Sequence, residues 1–165
     1  MPEILRAPEL SADDIPELDA LFRICFGGMA FTAGPPADLR AIHRVGSRIA
    51  AYAAVSLRRI ALQGCQRETA ILGLVCVDPQ FRGRKLGHEV IAALQAAIPL
   101  PFMLNCGAPL VSYYNAIGYR KISDRASYTR SGGVVIDNDP VMLNPNGQQA
   151  AAVMQSAPVY LGRDF

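Results

Sequence analysis

One segment constrains this chain more than any other. Residues 75–91 read VCVDPQFRGRKLGHEVI. The apolar run at 70–77 stops at Asp78 and Pro79, and a short turn follows with glycines at Gly83 and Gly87 and cations at Arg82, Arg84 and Lys85. Over 88–97 the apolar residues recur at helical spacing. The order is strand, basic glycine-bearing turn, helix N-terminus. Such a turn offers backbone N–H groups and positive charge to an anion, most often a phosphate. The two other common phosphate signatures, G-x-G-x-x-G and G-x-x-x-x-G-K-[ST], are absent.

The rest of the chain can be arranged around that segment. A first strand falls within 3–9. Residues 12–26 read as a helix, with Ser11 as its N-cap, Asp13 and Asp14 at its positive end, and Gly27 and Gly28 stopping it. Residues 28–38 form a loop broken at Gly34, Pro35 and Pro36. Strands follow at 39–45 and 48–62, joined at Gly46 and Ser47, and a third covers 68–77. The helix over 87–97 ends at Pro99 and Pro101. A short strand at 102–106, a helix at 109–116 closed by Gly118, and strands at 119–129 and 134–143 around Ser131, Gly132 and Gly133 complete the pattern. Residues 145–165 read as a tail on a domain of 1–144, packed on that domain or on a second subunit, with a helical turn or two over 148–155. The fold class is mixed α/β: antiparallel strands, then a β-α-β unit.

Composition narrows the function. The chain has 165 residues, 51% of them hydrophobic and 18% charged, which describes one compact domain with a substantial core. A net charge of +2 gives no dense basic face for nucleic acid, and the cations at 82–85 suit a single phosphate group. Cys25, Cys65, Cys76 and Cys106 have no C-x-x-C spacing, and His43 and His88 are the only histidines, so no metal is expected. No apolar run is long enough for a membrane span. The N-terminal residues carry no signal-peptide pattern, so a cytoplasmic protein with reduced thiols is expected.

Two blocks carry a family resemblance. Gln80, Phe81, Arg82, Gly83 and Arg84 fill five of the six places of Q/R-x-x-G-x-G/A after a strand and before a helix; Lys85 takes the place of the last small residue. Downstream, Tyr114, Gly118 and Tyr119 fall on Tyr-x-x-x-Gly-Phe/Tyr at the end of a helix. These resemble motifs A and B of the GNAT superfamily, the acyl-CoA-dependent N-acyltransferases. Further detail at 49–59, 72–86 and 101–102 is similar to the aminoglycoside 2′-N-acetyltransferases and to the nodulation N-acyltransferases, both of which act on amino sugars.

The resemblance implies a GNAT-like fold and a set of roles. Acetyl-CoA would lie across the motif A turn, its pyrophosphate held by N–H groups of Arg82, Gly83, Arg84, Lys85, Leu86, Gly87 and His88. Lys85 still offers its N–H there while its φ is negative. Backbone at Val75, Cys76 and Val77 would receive the pantetheine arm, and one N–H there would stabilise the oxyanion. Tyr114 would protonate the departing thiolate. The alternative for the turn is a surface connection with solvated cations. For Cys76 it is a small buried hydrophobe, and for Tyr114 a packing residue.

The general base does not carry over. Residues 71–74 hold no acid, and Glu68 reads as a solvated strand end, leaving water and backbone carbonyls to take the amine's proton. Asp137, Asp139, Asp164 and the terminal carboxylate are the acids that could face a cationic acceptor. Asn105 and Ser112 either line the acceptor site or cap backbone groups. The expected function is acetyl transfer to a primary amine of a small molecule, with a non-catalytic acyl-CoA-binding module and a protein N-acetyltransferase as alternatives. A homodimer through the final twenty residues is a further expectation.

Overall fold

A computed structural model describes residues 1–6, 9–33, 37–62, 65–130, 133–145 and 159–163. Their elements run β1 (Glu3–Arg6), α1 (Asp14–Cys25), β2 (Leu39–Val45), β3 (Arg48–Leu62), β4 (Cys65–Val77), α2 (Leu86–Ala97), β5 (Phe102–Asn105), α3 (Val111–Ala116), β6 (Arg120–Ser123), β7 (Ala126–Arg130), β8 (Gly133–Asp137), β9 (Val141–Asn144) and β10 (Val159–Arg163). The class is mixed α/β with a mostly antiparallel sheet, as the sequence predicts. Among the described residues, no helix is long and apolar enough to cross a membrane.

The chain divides into two compact units, and the long strands β3 and β4 contribute to both. The first unit is Met1–Ser56 with Leu72–Ile98. Here β2 pairs antiparallel with β1 and with β3. The turn at Gly46 (φ 65) makes the second ladder a hairpin. Helix α1 begins at Asp14, two residues later than its apolar spacing suggests. The Asp14 N–H donates to Ser11 Oγ at 3.2 Å and the Ser11 N–H to Asp14 Oδ2 at 3.1 Å, a reciprocal cap that sets the first turn. Its inner face, Leu18, Leu21 and Phe22, packs with Ile42, Ile49, Tyr52, Ala54 and Cys76. Phe22 meets Phe26, Phe31 and Tyr52 edge-on at 5.2, 5.1 and 5.3 Å. Helix α2 buries Leu86, Val90, Ile91 and Leu94, the recurrence that a one-sided helix requires.

The second unit is Leu57–Ile71 with Pro99–Phe165. Strand β5 runs parallel to β4, with Ala70 opposite Phe102, and antiparallel to β9. Its core is Ile60, Ile71, Met103, Ala126, Val141 and Leu143. Two expected strands are each broken in two. The 119–129 run divides because Ser123 Oγ donates to the Arg125 carbonyl at 2.7 Å and accepts its N–H at 3.2 Å, turning the chain. The 134–143 run divides because Asp137 Oδ1 accepts the Asp139 N–H at 3.0 Å and Pro140 follows with no donor for a ladder. The expected tail holds a strand: β10 pairs parallel with β7 and antiparallel with β3. The breaker at 34–36, the helical turns at 148–155, and Asp164 and Phe165 lie outside the described residues.

Candidate functional site

In the first unit, β4 delivers the backbone of Val75, Cys76 and Val77 to the start of the glycine-bearing turn. The Val77 carbonyl accepts the Cys25 thiol at 3.5 Å and Arg82 Nε at 3.4 Å. Asp78 then ends the strand. Its N–H donates to the Ala50 carbonyl at 2.9 Å, and its Oδ1 accepts the Gln80 N–H at 2.9 Å. That cap opens a single helical turn, Pro79–Phe81, in which the fixed φ of proline suits the first position.

Beyond that turn the backbone changes hand twice. Gly83 has φ 78, and a Cβ there would meet nothing within 4 Å. Lys85 has φ 62, which corrects the expectation of a negative φ. The turn needs glycine-like geometry at the place where lysine stands, and the start of α2 imposes it. A left-handed residue next to a right-handed one aims neighbouring N–H groups to one side, so a positive φ at Lys85 is compatible with a turn that accepts an anion. Helix α2 starts immediately after. Its first internal bond runs from the Glu89 N–H to the Lys85 carbonyl at 3.0 Å, so the N–H groups of Leu86, Gly87 and His88 precede it.

Arg82, Gly83, Arg84, Lys85 and His88 are exposed, while Leu86 and Gly87 are buried. Among the described residues no carboxylate pairs with Arg82, Arg84 or Lys85. Positive charge and a helix N-terminus therefore coincide with an open glycine, an arrangement that fits a pyrophosphate. The two non-glycine residues with positive φ among the described ones, Leu74 (φ 55) and Lys85, bracket this segment. Such conformations cost about 1–2 kcal/mol each and gather at functional sites. Cys76 is buried and burial pushes its thiol pKa far up, so it is a neutral hydrophobe rather than a nucleophile.

Tyr114 belongs to the second unit. The short turn Ala108–Leu110 leads into α3, and Tyr114 lies on its buried side with 6% of its surface exposed. Its ring meets Tyr113 edge-on at 5.1 Å and Tyr119 at 5.6 Å. Burial, then Tyr113 and Cys106, push its pKa well above that of a free phenol. It is protonated at neutral pH. Gly118 (φ 93) closes the helix, and the Tyr114 carbonyl accepts the N–H groups of Ile117 at 3.2 Å and Tyr119 at 3.0 Å.

The carboxylates sort by environment. Glu68 is 64% exposed and pairs with Arg59 at 3.4 Å. Asp137 is less open: Asn105 Nδ2 donates to its Oδ2 at 3.1 Å, while Asn105 Oδ1 is buried with no partner among the described residues. Neither this pair nor the contacts of Arg48 with Asp78 and Gln80 has a sequence signal. Each joins residues about thirty positions apart through side chains alone. Among the described residues no group of three or more His, Cys, Asp or Glu is placed to hold a metal ion.

Solved structures match this architecture. A GNAT-family N-acetyltransferase from Escherichia coli (YhbS), in complex with CoA, has TM-score 0.64 at 14% identity, covering 98% of this chain and 88% of its own. An acyl-CoA N-acyltransferase from Pseudomonas aeruginosa has TM-score 0.62 at 19% identity, covering 87% and 98%. A GNAT acetyltransferase from Brucella melitensis, in complex with acetyl-CoA, has TM-score 0.60 at 16% identity, covering 96% and 94%. At such identities the likeness establishes the fold, and that fold is GNAT. The model of the family Nodulation protein A (NodA) matches residues 10–128, and the chain belongs to that family. It is an acyl-CoA-dependent N-acyltransferase. No curated protein sequence matches it.

Proposed function

We propose that this enzyme transfers an acetyl group from acetyl-CoA to a primary amine of a small molecule, an amino sugar being the favoured class. The observation that carries the donor half is the 82–88 turn, whose cations have no carboxylate partner among the described residues and whose N–H groups precede the first bond of α2. Those N–H groups hold the pyrophosphate, and an N–H among Val75, Cys76 and Val77 donates to the thioester oxygen as it gains charge. The neutral amine attacks the carbonyl carbon, the C–S bond breaks, and Tyr114 gives its proton to the departing sulfur. The amine's surplus proton leaves through water, which also reprotonates Tyr114. Most of the acceleration comes from holding donor and acceptor together.

Membership of the nodulation protein A family, together with the resemblance to branches that act on amino sugars, supports the acceptor class. The reaction would take place in the cytoplasm, where Cys25, Cys76 and Cys106 stay reduced. The test is thiol release from acetyl-CoA with a panel of amino sugars, simple amines and N-terminal peptides. Turnover confined to amino sugars supports the reading. Turnover confined to peptides replaces the acceptor, and donor binding without turnover on any amine points to a binding module.

A further inference from the structure

We propose that Arg48 is a positioning residue for the anion-binding turn, acting through Asp78, Gln80 and Phe81, and that it governs affinity for the acyl donor without entering the transfer step. This rests on the donor reading above. Arg48 opens β3, directly after the Gly46–Ser47 hairpin turn, and is far in sequence from the residues it holds. Its Nη2 lies 2.6 Å from Asp78 Oδ2 and its Nη1 donates to Gln80 Oε1 at 3.2 Å. Its Cζ sits 5.9 Å from the centroid of the Phe81 ring, and Arg84 Cζ lies 5.4 Å from the same ring. One guanidinium thus reaches three residues of the segment that leads into the turn, and the ring contacts a second guanidinium from within the turn.

The chemistry gives this contact its direction. The Asp78 side chain is 4% exposed and that of Arg48 is 49% exposed. Without Arg48, the buried carboxylate would keep, among the described residues, only the Gln80 N–H at 2.9 Å, and an uncompensated charge in that position favours moving the segment toward water. Asp78 is also tied to Ala50 through its own N–H at 2.9 Å, so Arg48 and Ala50 together set where β4 ends and the turn begins. Arginine suits the task because a planar fork can bond the carboxylate and the amide while facing a ring; lysine offers a single point of charge. Arg48 bonds Asp78 and Gln80 and faces Phe81 rather than residues 82–88, so its influence on a bound pyrophosphate passes through Asp78 and through the Phe81–Arg84 contact.

The test is calorimetric titration of acetyl-CoA into wild type, Arg48→Ala, Arg48→Lys, Asp78→Asn and the Arg48→Ala/Asp78→Asn double variant, with steady-state kinetics and melting curves alongside. Arg48→Ala should weaken acetyl-CoA binding by about tenfold, within what small misplacements cost, while kcat at saturating donor stays within about twofold. Arg48→Lys should fall between it and wild type. The double variant should be little worse than the poorer single, because the two residues act as one unit. Should Arg48→Ala not fold, Arg48→Lys and Phe81→Leu carry the same comparison. Unchanged affinity beside a binding wild type, fully additive losses, or a fall in kcat at constant affinity each overturns this proposal alone. A wild type that binds no acetyl-CoA overturns the donor reading and this proposal with it.

Discussion

The Tyr119 N–H donates to the Tyr114 carbonyl at 3.0 Å while the two rings meet edge-on at 5.6 Å. Gly118 between them makes this possible, because its φ of 93 turns the backbone at the end of α3. The residue that carries the proton in the proposed mechanism is therefore placed by the two residues that complete its motif. The motif has a mechanical reason: a tyrosine, a left-handed closure, and an aromatic that packs on that tyrosine.

Tyr114→Phe removes the proton and little of the packing. Turnover should fall by about 10²-fold or more, with acetyl-CoA affinity unchanged, as expected for loss of a general acid. Steady-state kinetics with a parallel binding titration check this; unchanged turnover assigns the proton elsewhere.

Gly118→Ala should destabilise the protein by about 1–2 kcal/mol through the left-handed backbone. Space contributes less. The added Cβ would meet only Asn144 Nδ2, at 3.3 Å, and that is the mobile end of an amide. Urea unfolding measures the loss.

Lys85→Gly separates strain from charge. Relief of the left-handed lysine, less the extra entropy of an unfolded glycine, should stabilise by about 0.5 kcal/mol. Acetyl-CoA affinity should nonetheless fall, because a cation beside the phosphates is lost. The same logic predicts that wild-type affinity weakens as salt rises, and less steeply in the variant. Melting curves and titrations at two ionic strengths test both signs.

Alkali provides a further test. Burial holds the Tyr52 phenol up at about 12, and burial also raises Tyr114. In both cases the folded pKa exceeds the unfolded one. The stability they contribute is therefore fully present below the ordinary phenol pKa of about 10 and is lost as pH rises through the folded values. Cys76 and Cys106 are raised by burial in the same sense, so denaturant midpoints should begin to fall as pH passes the ordinary thiol pKa of about 8.5 and fall further above about 10, and Tyr52→Phe should soften the upper part of the decline.

Legibility in the sequence followed locality. The hairpin β2–β3 lies where predicted because Gly46 and Ser47 mark the turn and the flanking residues are strand formers. The Ser11–Asp14 bonds cap α1 where Ser11 was expected to, and its first helical residue falls at Asp14 because Pro16 has no N–H to donate to the Ala12 carbonyl. The runs at 119–129 and 134–143 broke at Ser123 and Asp137, whose side chains capture nearby backbone groups that hydropathy does not register. At Lys85 an ordinary preference for negative φ lost to the geometry of the turn. Arg48, at the far end of β3 from any motif, was invisible because its significance lies entirely in three-dimensional contacts with Asp78, Gln80 and Phe81.

The most direct measurement is a calorimetric titration of wild-type protein with acetyl-CoA, with free CoA and a long-chain acyl-CoA as comparators. The account predicts micromolar binding of acetyl-CoA with a stoichiometry of about one per chain, and tighter binding of the acetyl than of the long-chain donor. Preference for the long chain would move the activity to fatty-acyl transfer. Absence of binding by all three would contradict the central claim that the 82–88 turn holds an acyl-CoA.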